Sequence, residues 1–236
     1  MKNPSVIFLR HGRTAYNAEM RLQGRTDIPL DEVGQWQAKL GGTALASVIK
    51  PTLVVSSDLV RAAKTAQAFA AAADLEVVLD ERLQERSFGV WEGLTREEIN
   101  AKWPREFEAW RGGAEPQNLG AESKKEVGQR VVQAVNEHLK RAIAIKPEGA
   151  VLVVVSHGAA INAGITTMIG QDPGNWRGLQ GLHNVHWSHL VPSGAGTVET
   201  NIEKTKWLVA AHNIGAGYPL EHWNNGPDWN LEPTSE

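Results

Sequence analysis

Short runs of consecutive apolar residues alternate along this chain with longer stretches in which apolar side chains recur every three or four positions. The short runs predict buried strands at 5–9, 53–55, 76–79 and 151–155. The longer stretches predict helices, which run from an N-cap at Asp31 to about Leu45, over 122–145 and over 159–168. Because strands and helices alternate, we expect an α/β three-layer sandwich with a mainly parallel central sheet and helices on both faces.

The weaker signals between these elements fit the same single domain, spanning 1–236. We expect the Ser56-Ser57-Asp58 triplet to cap a helix that follows the second strand. An insertion at about 86–121 is expected to lie over the edge of the sheet that carries the candidate site, and to contain two short helices at 95–101 and 104–111. The remaining predicted features are strand-like segments at 184–191, 197–200 and 206–211 and an irregular tail over 213–236.

Two strands end in a similar motif. The first strand runs into Arg10-His11-Gly12, and the strand at 151–155 runs into Ser156-His157-Gly158. Ligands of open α/β sheets bind at the carboxyl ends of the strands, and parallel neighbours present those ends at one edge. We therefore predict that His11 and His157 face one ligand. For either histidine alone, a hydrogen-bonded loop residue would be an equally good interpretation.

Composition narrows the partners of such a site. The chain has 236 residues, a formal net charge of −3 and no cysteine. This balance gives no reason to expect nucleic acid or a membrane as a partner, and the apolar runs are too short to span a bilayer. Without cysteine there is neither a disulfide framework nor a thiolate metal site, so we expect a cytoplasmic protein. Binding of a phosphate would then depend on a local cluster of arginines.

The residues near the predicted edge can supply each part of a phosphoryl transfer through histidine. Neutral imidazole makes His11 the candidate nucleophile, and Arg10 and Arg61 are candidate clamps for the phosphate oxygens. His157 is expected to stabilise the transferring group, either as a cation or by donating a proton. Glu85 is the candidate general acid, provided that its surroundings keep it protonated.

Taken together, these motifs resemble the histidine phosphatase superfamily, in its phosphoglycerate-mutase-like branch. The resemblance is carried by the segments 9–17, 22–24, 27–30, 56–62, 85–93 and 155–158, in the family's order. It implies that His11 is the nucleophile, that Arg10 and Arg61 clamp the phosphate, that His157 is the second histidine and that Glu85 is the proton donor. It also implies a metal-independent enzyme without a cofactor. The residues implied at the phosphate and substrate entrance are Arg13, Asn17, Gln23 and Gly24.

The sequence departs from this family in ways that bear on its reaction. Ser87 stands where members often carry a histidine, and 94–121 lacks the dense basic cluster of cofactor-dependent mutases. These differences favour a phosphomonoesterase for small metabolites, a sugar phosphate or a phosphoglycerate ester, over a cofactor-dependent phosphoglycerate mutase. A non-catalytic phosphoester-binding protein is the third alternative. A looser similarity of 175–190 to actinobacterial sugar-phosphate phosphatases of this family ranks sugar phosphates first.

Several other residues keep two interpretations open. Arg86 is either an additional substrate contact or a surface charge. The spacing of His183, His186 and His189 invites a metal site, but their strand-like surroundings favour solvent-facing or interface histidines. The apolar segments at 184–191 and 206–211 leave a homodimer as an alternative to a monomer.

Overall fold

The computed structural model describes residues 3–115, 118–194 and 202–226 of the chain. Within these ranges it forms one six-stranded sheet, with the strand order β3-β2-β4-β1-β5-β6. The strands are β1 (Ser5–Arg10), β2 (Leu53–Ser56), β3 (Val77–Leu79), β4 (Val151–Ser156), β5 (Trp187–Pro192) and β6 (Trp207–Ile214). The helices are α1 (Ala15–Ala18), α2 (Glu32–Val48), α3 (Val60–Ala73), α4 (Arg96–Lys102), α5 (Pro104–Arg111), α6 (Lys124–Ile145), α7 (Gly158–Met168) and α8 (Leu220–Asn225).

The pairing of β1 with β4 sets the position of the site. These strands are parallel and in register from Ser5 opposite Val151 to Arg10 opposite Ser156. The next residues along each strand, His11 and His157, therefore leave the sheet side by side. Strands β2 and β3 continue the parallel part, and β5 and β6 add an antiparallel edge. The predicted mainly parallel sheet is confirmed.

Alternating side chains of the central strands build two cores, one on each face of the sheet. Val6, Phe8 and the even-numbered residues of β4 pack against α6 and α7. Ile7, Leu9 and the odd-numbered residues of β4 pack against α2 and α3. Because both faces of β1 and β4 are covered, their runs are apolar at every position, as is typical of buried parallel strands. The predicted three layers are confirmed.

Helix boundaries follow the sequence at one cap and depart from it at another. Asp31 caps α2 as predicted, accepting a hydrogen bond from the Gly34 N–H at 2.7 Å. The expected cap of α3 by Ser56-Ser57-Asp58 is wrong, because α3 begins after Leu59 without a side-chain cap. The Ser57 hydroxyl instead lies 2.9 Å from a ring nitrogen of His157. This serine belongs to the site at the sheet edge.

The segment between β3 and α6 has a small core of its own. Phe88, Trp91, Ile99, Phe107 and Leu119 pack together and are all buried. Ala159, in the first turn of α7, packs against this cluster. The two short helices predicted for this segment are present as α4 and α5, and the segment rests on the helix that begins next to His157.

The structure differs from the irregular tail expected over 213–236. Strand β6 continues to Ile214, and α8 follows it. Trp223 of α8 is 1% exposed and packs into the core of Ile7 and Leu9, with Trp36 stacked beside it. A helix of this length is stabilised by tertiary packing, which local composition does not reveal. The strand predicted at 197–200 and the last ten residues lie outside the described ranges.

Candidate active site

His11 is presented at the edge of the sheet in a defined orientation. Its backbone N–H donates to the Ser156 carbonyl, and its side chain is 2% exposed. The ring Nδ1 lies 2.7 Å from the Gly12 carbonyl oxygen, which only accepts, so Nδ1 carries a proton. Burial, with Arg61 and Arg10 nearby, holds the pKa of His11 well below its ordinary value. The ring is thus neutral at pH 7, with an unprotonated Nε2.

His157 faces this ring, with the two ring centroids 5.1 Å apart. The Arg61 Nε–H donates to His157 Nδ1 at 3.2 Å, which leaves the proton on Nε2, 2.9 Å from the Ser57 hydroxyl oxygen. Burial, Arg61, His11 and Arg10 together hold the pKa of His157 well below its ordinary value. Of the two forms expected from the sequence, the free protein therefore favours the neutral N–H donor over the cation.

Both predicted clamp arginines are brought to the histidines. Arg61 is fully buried, and its terminal nitrogens donate to the carbonyls of Thr26 and Gly24. Arg10 donates to the Leu182 carbonyl, while its buried Nε has no partner among the described residues. Gly158 lies directly beside this guanidinium, since a Cβ there would be in van der Waals contact with that Nε, at 3.7 Å. An anion there would give Arg10 the missing acceptor.

Glu85 is held at the start of α7. One carboxylate oxygen accepts from the Ala160 and Arg86 backbone N–H groups, and the other accepts from Ala159. Three N–H donors and the positive end of a helix stabilise the negatively charged form of a carboxyl group. Glu85 therefore lies beside Arg10 with both of its carboxylate oxygens held by backbone N–H groups.

The predicted entrance residues divide into two groups. Asn17 and Gln23 lie at the site: the amide oxygen of Asn17 is engaged by Asn184, and the buried Oε1 of Gln23 has no partner among the described residues. Gly24 has a positive φ of 55°, and its carbonyl accepts a hydrogen bond from Arg61. Arg13 turns instead towards Asp31 and the Asn224 carbonyl of α8.

Arg86 is buried, which neither interpretation from the sequence anticipated. Its side chain is 3% exposed and lies near Glu115, and its Nε donates to the Glu122 carbonyl at 2.6 Å. Burial lowers its pKa, and the carboxylates of Glu115, Glu85 and Glu122 counteract this effect. The guanidinium therefore belongs to the wall beside Glu85, not to the outer surface.

Three polar residues of the site escaped the sequence analysis. They are Ser57, which contacts His157; Thr65, whose hydroxyl accepts from the Gly12 N–H; and Asn184, whose amide donates to the His11 carbonyl. Ser57 could have been found from its place directly after the end of a strand. Thr65 and Asn184 carry no comparable local signal.

The histidines outside the pair do not assemble a metal site. The rings of His183 and His186 lie 5.3 Å apart, and burial lowers the pKa of both. Across the three described ranges, no group of three or more His, Asp or Glu side chains is arranged to hold a metal ion. No helix in those ranges has the length and apolar character needed to cross a membrane.

An α/β sandwich with two neutral histidines, the buried Arg61 and the half-buried Arg10 at its strand ends defines a protein built to bind a phosphate group. The family model of the histidine phosphatase superfamily (branch 1) matches residues 6–205. The chain belongs to this superfamily.

Its relatives include two kinds of named protein. A glucosyl-3-phosphoglycerate phosphatase of Mycobacterium tuberculosis is 34% identical over 220 residues, covering 92% of this chain and 97% of the relative. A probable phosphoglycerate mutase of Salmonella paratyphi A is 35% identical, covering 92% and 94%. The solved structure of a mycobacterial glucosyl-3-phosphoglycerate phosphatase in complex with VO3 superposes with a TM-score of 0.78 at 33% identity, covering 90% of this chain and all of that one.

Proposed function

We propose that this protein is a phosphomonoesterase that hydrolyses small phosphorylated metabolites through a phosphohistidine on His11, without a metal ion. The observation that carries the proposal is the neutral His11 ring, whose Nδ1–H is bound to the Gly12 carbonyl and which lies beside Arg10 and Arg61. The similarity to glucosyl-3-phosphoglycerate phosphatases supports a sugar phosphate or a phosphoglycerate ester as the substrate.

In the first step, His11 Nε2 attacks the phosphorus in line with the ester oxygen. The P–N bond forms as the P–O bond breaks, and Glu85 gives its proton to the departing alkoxide. Arg10 and Arg61 bind the non-bridging oxygens, and the buried Nε–H of Arg10 gains an acceptor. The neutral His157 donates its N–H to the Ser57 hydroxyl, and that hydroxyl donates in turn to these oxygens, so that the pair stabilises their charge.

In the second step, water attacks the phosphorus opposite His11. The Glu85 carboxylate accepts a proton from that water, the P–N bond breaks, and inorganic phosphate leaves with His11 neutral again. Glu85 thus acts as acid and then as base. Its position at the start of α7, where three N–H groups stabilise the carboxylate, suits the second role directly.

The experiment that tests the proposal is phosphate release from a panel of esters that includes 3-phosphoglycerate, glucosyl-3-phosphoglycerate and sugar phosphates, with and without EDTA. The variant His11→Ala is the blank. We expect EDTA-insensitive release that is absent from the blank. Release that depends on a divalent metal, or that survives in His11→Ala, would contradict the proposal.

A mutase is the second candidate function, because relatives of similar identity are named as probable phosphoglycerate mutases. A mutase would return the phosphate from His11 to another hydroxyl of the substrate. The same reaction mixtures distinguish the two: isomer without phosphate release supports the mutase. Binding of the esters with neither product would support a phosphoester-binding protein.

Further parts of this proposal concern the surroundings of the site. We propose that Arg86, with Asn17 and Gln23, contacts the substrate beyond its phosphate, and that the segment 86–121 forms the cover of the site. We also propose that the protein acts in the cytoplasm and that residues 1–236 form a single domain. We further propose that it forms a homodimer through the antiparallel edge of the sheet. Sedimentation equilibrium of the full chain tests the last point.

A further inference from the structure

The backbone N–H and C=O groups of both His11 and Gly12 are hydrogen-bonded. The His11 N–H donates to the Ser156 carbonyl, and the Gly12 carbonyl accepts from His11 Nδ1. The Gly12 N–H donates to the Thr65 hydroxyl at 3.0 Å. The His11 carbonyl accepts from the side-chain amide of Asn184 at 2.9 Å and, at the longer distance of 3.3 Å, from the Val185 N–H. The two side chains that hold the His11–Gly12 peptide are Thr65 and Asn184.

Asn184 is itself fixed from the opposite side. Its Nδ2 also lies 3.3 Å from the amide oxygen of Asn17. Its backbone carbonyl accepts from the Trp223 indole N–H at 2.7 Å and from His186 Nδ1 at 3.1 Å. Trp223 belongs to α8 and is buried in the core, so the hydrogen bond to Asn184 links the end of the described chain to the loop of His11.

The next residue, Val185, has the backbone conformation of a strained turn. Its φ is 52°, in the left-handed region that β-branched residues rarely adopt. The strain is maintained by buried contacts, because the Val185 side chain is fully buried and its N–H donates to the Arg10 carbonyl at 3.1 Å. Such strained residues cluster at functional sites, where the surrounding structure holds them.

We propose that Asn184 is a positioning residue that fixes the His11–Gly12 peptide, and that α8 holds Asn184 in place through Trp223. The Gly12 carbonyl is the acceptor that keeps the proton on Nδ1 of His11. This carbonyl belongs to the next peptide, whose Arg13 N–H donates to Gln37 Oε1 at 2.9 Å. If the His11–Gly12 peptide rotates, the backbone of His11 shifts relative to that fixed carbonyl. Nδ1 then loses its acceptor, and part of the ring population moves its proton to Nε2, the nitrogen that must attack. This inference rests on the proposed role of His11 as nucleophile.

Two variants and a matched control test the proposal. Asn184→Ala removes the amide. Trp223→Phe removes the indole N–H together with one of the two fused rings, while keeping an aromatic ring in the core. Asn162→Ala is the control, because it removes one amide hydrogen bond, to the Leu179 carbonyl, from the middle of α7. Steady-state kinetics are measured on the best ester of the panel. ¹⁵N NMR of histidine-labelled, ligand-free protein reports which nitrogen of His11 carries the proton.

We expect Asn184→Ala to lower kcat by roughly 10- to 100-fold with little change in KM, since small misplacements of a reacting group cost about this much. Trp223→Phe should lower kcat by a smaller factor, and Asn162→Ala should leave it unchanged. In the free protein, His11 should be protonated on Nδ1 in the wild type and partly on Nε2 in Asn184→Ala.

An unchanged kcat in Asn184→Ala would overturn the proposal, and so would a lower kcat with an unchanged proton position on His11. If Asn184→Ala does not fold, Trp223→Phe decides by the same two measurements. The NMR measurement needs no substrate. A wild-type protein without phosphatase activity would therefore contradict the proposed function, while the proton position would still test Asn184.

Discussion

At the scale of single residues, Glu85 and His11 show how backbone groups set side-chain chemistry. The Gly12 carbonyl fixes the proton of His11 on Nδ1, and three backbone N–H groups hold the carboxylate of Glu85. Neither residue type is reactive in this way on its own. The position of each at the end of a strand or the start of a helix supplies the missing orientation and charge.

The proposed role of Glu85 as proton donor predicts a dependence on the leaving group. Glu85→Gln should slow hydrolysis of alkyl phosphates by about 100-fold or more, within the range of general acid catalysis. Aryl phosphates, whose leaving groups need no proton, should be slowed far less. The comparison uses kcat for 4-nitrophenyl phosphate and an alkyl ester. Equal slowing of both would remove Glu85 from the acid role.

The close approach of α2 to the loop of His11 predicts a second effect. A Cβ on Gly34 would lie 1.9 Å from the Arg13 carbonyl oxygen. Two non-bonded atoms cannot come this close, so one of the two backbone segments would have to move. Gly34→Ala should therefore destabilise the fold by about 3 kcal/mol and lower activity. Gly181→Ala is the control, because a Cβ there would meet nothing within 4 Å. Urea unfolding of both variants measures the difference, and equal stability would contradict this prediction.

At the scale of elements, a partly buried network of charged and polar side chains joins the end of β3 to α6. The Asp80 carboxylate accepts from Arg82 and lies 2.9 Å from His138 Nε2, and the Arg141 guanidinium contacts the other nitrogen of His138. The hydrogen bonds from Arg82 and His138 outweigh burial and lower the pKa of Asp80 to about 2. This network orients α6, which forms one of the two helical layers.

The network predicts a stability loss that depends on pH. A carboxyl group whose pKa is lower in the folded state stabilises the fold above its unfolded pKa, and this contribution disappears as the pH falls towards 2. Asp80→Asn should cost about 2 kcal/mol at pH 7, because folding lowers the pKa of Asp80 from its ordinary value to about 2. The difference from wild type should narrow below about pH 4. Chemical unfolding at several pH values measures it, with the exposed Asp58→Asn as control.

At the scale of the whole molecule, folding buries two neutral imidazoles side by side, and this burial lowers the stability of the protein at acidic pH. The pKa values of His11 and His157 both lie well below 6.5 in the folded protein. The unfolded chain therefore binds protons that the folded chain does not, as the pH falls below 6.5. Each such histidine lowers the free energy of unfolding by up to about 1.4 kcal/mol per pH unit in that range.

We therefore expect the protein to lose stability as the pH falls below about 6.5, and to show a nearly constant contribution from these histidines above it. The variant His157→Gln should have a shallower decline over the same range. Urea unfolding between pH 8 and pH 5 measures both slopes. Identical slopes for the variant and the wild type would show that His157 is charged in the folded protein.

Several features of this protein were determined by local sequence. Unbroken apolar runs predict strands β1 and β4. Because His11 and His157 come directly after those runs, their place at the sheet edge is predicted as well. The Asp31 cap and the helices α4 and α5 likewise depend on residues only a few positions apart. These patterns act over short distances along the chain, so the sequence alone predicts the sheet edge at which His11, His157, Arg10 and Arg61 meet.

The tertiary structure decided what lies around those residues. Asn184 contacts a residue 173 positions away, and α8 is a helix because Trp223 finds a place in the core. Ser57 accepts from the Leu59 N–H just before α3 and also from the Nε2–H of His157, which the fold brings within reach. Local patterns specify elements and their ends, whereas the partner of a buried polar group is specified only when distant segments pack together.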